Sequence, residues 1–153
     1  MPHSVNDLAD YLCAHGIAEP ATIVGCRPAE VEQVRADMRI QRLPAQYEQF
    51  LLRMGRGAGG LLRGSDFFYP AILGLSADGR DFLEENGTAS LMAPGSIVIG
   101  MHQGYRLYWL ECGEPSGPVR CYTENADDLD ASWPSLLAFL ASAADEERRA
   151  LGR

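Results

Sequence analysis

The chain has no lysine: all 13 of its basic residues are arginine. That absence removes several chemistries together. A Walker-type phosphate loop needs a lysine on the β- and γ-phosphates, so the glycines between Gly55 and Gly60 do not form one. Schiff-base and pyridoxal phosphate chemistry need a lysine amine and are excluded for the same reason. Histidine is scarce, with only three in 153 residues, and His3, His15 and His102 have no catalytic company nearby in the sequence. Cys13, Cys26, Cys112 and Cys121 contain no C-x-x-C pair and no matched histidine pair, so neither a zinc site nor a redox motif is expected. They are read as thiols, mostly buried. No G-x-S-x-G elbow surrounds Ser65, Ser76, Ser90 or Ser96. No apolar run approaches the length of about 18 residues that reads as a membrane span. The first dozen residues carry Asp7 and Asp10 but no arginine, unlike the basic start of a secretory signal, so a cytoplasmic protein is expected.

The balance of charge is acidic, with a formal net charge of -8. Such a surface opposes nonspecific nucleic-acid binding, which depends on basic groups displacing counterions from phosphates. It favours a basic partner. The charge is uneven: seven arginines against four acids lie between Arg27 and Arg63, and six acids against one arginine between Glu111 and Asp130. Asp127, Asp128 and Asp130 lack the spacing, central glycine and terminal glutamate of an EF-hand, so they read as a solvated loop. No metal and no cofactor is expected.

The elements follow from periodicity. Val5 to His15 reads as a first helix, with Ser4 or Asn6 as its cap and Gly16 as its end. Pro28 to Arg39 reads as a second, with Val31, Val34 and Met38 on one face. In LPAQYEQFLLRMGRGAGG, residues 43–60, Pro44 suits a first helical position, Tyr47, Phe50, Leu51 and Met54 form one apolar stripe, and Gly55 and Gly57 mark the stop. Leu61 to Ala71 reads as a short strand or an extended packing segment, and Leu75 to Glu85 as a helix, in spite of Gly79. SIVIGM, YRLYWLEC and PVRCYT then form an antiparallel meander with its first turn at His102-Gln103-Gly104. Trp133 is expected to begin the last helix, with Ser132 as its cap and Pro134 in its first turn. The charged residues 145–153 are expected to fray into a tail. At this length one domain is expected, residues 1–144, with its core at about 27–143.

Several of these motifs, in this order, resemble the SUKH superfamily. They are the LPxxYxxFL helix at Leu43 to Leu51, its glycine-rich exit, the strand GYRLYWLE at Gly104 to Glu111, the short strand PVRCYT and the closing SWPSLLAFL. The resemblance implies a single α+β domain: a mainly antiparallel, twisted sheet packed against N-terminal helices and a C-terminal helix. It also implies a protein that acts by binding rather than by catalysis. Bacterial members of the superfamily are mostly immunity proteins that neutralise a cognate polymorphic toxin, often a nuclease, while fungal relatives include Smi/Knr-type regulators of cell-wall synthesis. The expected partner is therefore a basic toxin protein, met by Glu111, Glu114, Glu124, Asp127, Asp128 and Asp130, with neither nucleic acid nor membrane engaged directly. The alternatives are a housekeeping regulatory module and a small hydrolase using His102 and Glu111.

Overall fold

The computed structural model describes residues 2–152. Its elements are α1 (Val5–Ala14), β1 (Ile23–Val24), α2 (Pro28–Met38), α3 (Ala45–Met54), β2 (Gly57–Ala58), β3 (Ser65–Asp66), α4 (Leu75–Glu85), β4 (Ile97–His102), β5 (Arg106–Leu110), β6 (Val119–Thr123), β7 (Ala131–Trp133) and α5 (Leu136–Ala150). The sheet has five antiparallel strands in the order β3-β4-β5-β6-β7, and β1 pairs with β2 in a separate ribbon. The protein is a single α+β domain.

Strand alternation sorts the helices onto two faces. Leu107 of β5 and Tyr122 of β6 are register partners, and Phe82 of α4 packs edge-on to Tyr122 with centroids 5.9 Å apart. Tyr108 points the other way, onto Phe139 of α5 at 5.0 Å. Thus α4 covers one face and α5 covers the other, backed by α1 and α3. Gly79 belongs in α4 for reasons of space: a Cβ there would lie 2.9 Å from Val98 Cγ2 and 3.0 Å from Leu107 Cδ1. The residue that weakens the helix in isolation lets it seat on the sheet.

The LPxxYxxFL helix lies in the core, with Tyr47, Phe50, Leu51 and Met54 all fully buried. Pro44 precedes it rather than opening it, and Ala45 is its first residue. Gly55 caps it with a right-handed φ of -65°. Glycine is required there by contact, since a Cβ would meet Cys26 Sγ and the Leu51 carbonyl oxygen at 2.6 Å each.

Two expectations at the C-terminus are corrected. Residues Ala131–Trp133 form β7, so Trp133 does not begin the last helix; Ser135 caps it, its Oγ accepting the Ala138 N–H at 3.0 Å. The cause is Pro134, which pushes the residue before it out of the helical region and leaves Trp133 extended. From its strand, Trp133 still packs on Phe139, at 4.8 Å. Nor does the charged segment fray at residue 145, because α5 runs to Ala150. Its charges are paired along the helix, Asp145 with Arg148 at 2.7 Å and with Arg149 at 2.6 Å. Arg148 also donates to the Tyr11 hydroxyl at 3.1 Å, tying the helix to α1.

Candidate interaction surface

The six carboxylates singled out in the sequence do not form one patch. Glu111 follows the end of β5, where its N–H bonds the Pro118 carbonyl at 2.8 Å; Glu124 lies at the opposite end, its N–H on the Tyr105 carbonyl at 2.8 Å. Tyr105 and Glu111 are six residues apart along β5, roughly 20 Å at about 3.3 Å per residue. Glu114 belongs with Glu111, whereas Asp127, Asp128 and Asp130 belong with Glu124.

The two groups also differ in what they bind. Glu111 receives both Nε and Nη2 of Arg120, at 3.1 and 3.2 Å, a bidentate arrangement in which both partners are half-buried. Glu114 Oε2 accepts the Ala45 N–H at 3.2 Å, and so caps α3 across 69 residues of sequence. Both glutamates therefore have structural duties. Asp130 accepts the Thr123 hydroxyl at 3.0 Å and faces Arg106 at 3.5 Å, while Asp128 Oδ1 accepts the Leu129 N–H at 2.7 Å. Glu124 and Asp127 are exposed.

Sequence reading missed a second source of negative charge. The Asn125 N–H bonds Asn86 Oδ1 at 2.8 Å, which holds the β6–β7 loop against the C-terminal end of α4. That helix carries Asp78, Asp81, Glu84 and Glu85, all exposed. Among the described residues none of these four, nor Glu124, Asp127 or Asp128, is in an ion pair. Seven carboxylates in no ion pair thus lie on α4 and on the loop that is joined to its C-terminal end. The helical part was legible: Asp78, Asp81 and Glu85 recur at i, i+3 and i+7, away from Leu75, Phe82 and Leu83. Its joining to the loop was not.

The hydrolase arrangement does not form, because His102 and Glu111 stand at opposite ends of β5. His102 Nδ1 instead lies 2.7 Å from Ser65 Oγ, at a cleft of about 320 Å³ that also includes Arg63, Arg106 and Tyr108. Among the described residues His102 has no carboxylate partner, the group that orients the imidazole in a hydrolytic triad. All four cysteines are free; Cys26 and Cys121 are buried, Cys13 is partly so, and Cys112 is exposed. Burial pushes the Cys26 thiol up to about 11 and the Cys121 thiol up to about 12, so both are protonated and unreactive at neutral pH. Among the described residues no group of three His, Cys, Asp or Glu side chains is placed to hold a metal ion.

Residues 25–142 match the SMI1 / KNR4 family (SUKH-1). The match spans most of the chain, and the protein belongs to that family. Its members are generally non-catalytic and serve as protein-interaction modules. No curated protein matches the chain. Among the described residues no helix is long and apolar enough to cross a membrane.

Proposed function

We propose that this protein is a cytoplasmic immunity protein that neutralises a cognate bacterial polymorphic toxin by binding it directly, the toxin domain being a basic one such as a nuclease. The observation that carries this reading is the acidic surface built from α4 and the β6–β7 loop, where among the described residues Asp130 alone has a cationic partner, Arg106. Like charges gathered on adjoining elements repel one another, and the repulsion is relieved when a basic surface docks. A field of one sign speeds encounter with such a partner and excludes acidic competitors.

Co-expression with the toxin domain encoded beside the gene tests the reading. Wild-type protein is expected to protect cells, and the quadruple variant Asp81→Arg, Glu85→Arg, Asp127→Arg, Asp128→Arg is expected to lose protection. Association measured by stopped flow should slow by tenfold or more between low and physiological salt, as steered encounters do. Absence of protection by the wild type, or recovery of only non-toxin proteins in pull-downs from the host, would replace this reading with that of a housekeeping module.

A further inference from the structure

A charged surface speeds association only as far as its charges are held where a partner meets them, and a loop that must be ordered on binding subtracts that cost from affinity. The β6–β7 loop, residues 124–130, carries the exposed Glu124, Asp127 and Asp128. The Ala126 N–H bonds the Thr123 carbonyl at 3.0 Å, the Tyr122 hydroxyl donates to the Ala126 carbonyl, and Ala126 and Leu129 pack on the core. These contacts fix the loop to the sheet. Among the described residues only one hydrogen bond reaches it from the α4 side, that of the Asn125 N–H to Asn86 Oδ1 at 2.8 Å.

Asn86 is the C-cap of α4, half-buried, and both ends of its carboxamide are engaged. Nδ2 donates to the Phe82 carbonyl at 2.8 Å and satisfies the last turn of the helix, while Oδ1 takes the loop. Phe82 is itself seated on Tyr122, whose hydroxyl holds Ala126, so one aromatic contact lies beneath both ends of the bridge. On the loop side Asn125 has a φ of 68°, in the left-handed region that asparagine adopts more readily than most residues. The bridge also closes against repulsion. Glu85 immediately precedes Asn86 and Glu124 immediately precedes Asn125; both are exposed, and among the described residues neither is in an ion pair. A neutral carboxamide has both a donor and an acceptor for this junction, where an ionised carboxylate or a guanidinium makes only one of the two contacts.

We infer that Asn86 is the positioning residue of the partner-binding surface: its carboxamide locks the β6–β7 loop onto the end of α4 in the free protein, so that a basic partner protein meets a preformed acidic surface. This role rests on the partner-binding reading above.

Amide hydrogen exchange on the ¹⁵N-labelled full chain reads the lock, and titration with capped hexa-arginine, Ac-RRRRRR-NH2, reads its effect on a basic partner. In Asn86→Ala the Asn125 amide is expected to exchange about tenfold faster, while the amides of β4 and β5 keep their wild-type rates. Asn86→Asp, which retains an oxygen for that N–H, should recover most of the lost protection. At about 20 mM salt the alanine variant should bind the peptide about threefold more weakly than wild type, although no charge has been removed. Unchanged exchange at Asn125, faster exchange with equal peptide affinity, or no binding of the peptide by the wild type overturns the positioning role. The expected responses in a protein that fails to protect cells leave this role standing and remove the immunity reading. Protection by the wild type, together with an Asn125 amide unaltered by Asn86→Ala, does the reverse.

Discussion

Among the described residues Glu30 is the one charged side chain buried from solvent, and its surroundings explain how it stays ionised. Its Oε1 accepts the Arg27 N–H at 2.9 Å, closing the first turn of α2, and its Oε2 faces the guanidinium groups of Arg56 and Arg27. The Arg27 backbone N–H is the chief cause holding this carboxyl below its usual range; the two guanidiniums add to it, and burial opposes it. A folded-state pKa that is lowered stabilises the native protein above the unfolded value, near 4.5, and that contribution disappears as pH falls through the folded value. Glu30→Gln is therefore expected to lower Tm at pH 7, with the gap from wild type closing below about pH 4.5 in thermal melts followed by circular dichroism. A gap that stays constant with pH would mean that the side chain acts through shape alone. Such a pairing was not visible in the sequence, because Arg56 lies 26 positions away and reaches Glu30 only after α3 has packed on α2.

Helices were the most legible elements, since a buried stripe at a period of 3.6 records which side must leave water. The range Leu75–Glu85 follows from that pattern, as does the buried face of α3 formed by Tyr47, Phe50, Leu51 and Met54. Reading was least secure where two local signals competed. In SWPS, Ser132 and Ser135 are both able to cap a helix, and the steric effect of Pro134 on Trp133 decides for the later one. At Gly79 the competition is between intrinsic propensity and contact. Alanine is the better helix former by about 1 kcal/mol, yet its methyl group would press on Val98 and Leu107 across the α4–sheet interface. Gly79→Ala is accordingly expected to destabilise the protein by about 1–2 kcal/mol net, overpacking outweighing propensity. Urea unfolding measures it, and an increase in the midpoint would show that the sheet yields.

At the scale of the molecule, the fold is larger than the family match. The residues before position 25 contribute α1, whose Val5, Leu8, Ala9 and Leu12 are buried, and α1 packs against α3 and α5. Leu8 and Leu12 are fully buried, and truncation of each to alanine costs about 2–5 kcal/mol. The pair Leu8→Ala and Leu12→Ala is expected to remove on the order of 5 kcal/mol, a large share of the 5–15 kcal/mol typical of a domain. Chemical denaturation of the double variant checks this, and a loss below about 1 kcal/mol would mean that α1 is dispensable for the core.

By itself the sequence determined the helical faces, the three-stranded meander, the absence of lysine-dependent chemistry and the excess of negative charge. Each of these is local or additive: a stripe depends on spacing, and a net charge on a count. The tertiary structure alone decided which charges remain free. It drew Glu111 onto Arg120 and Glu114 onto the start of α3, and it set α4 beside the β6–β7 loop through Asn86 and Asn125. Whether a carboxylate is satisfied depends on distances between residues far apart in the chain, and those exist only after the sheet has closed between its helices.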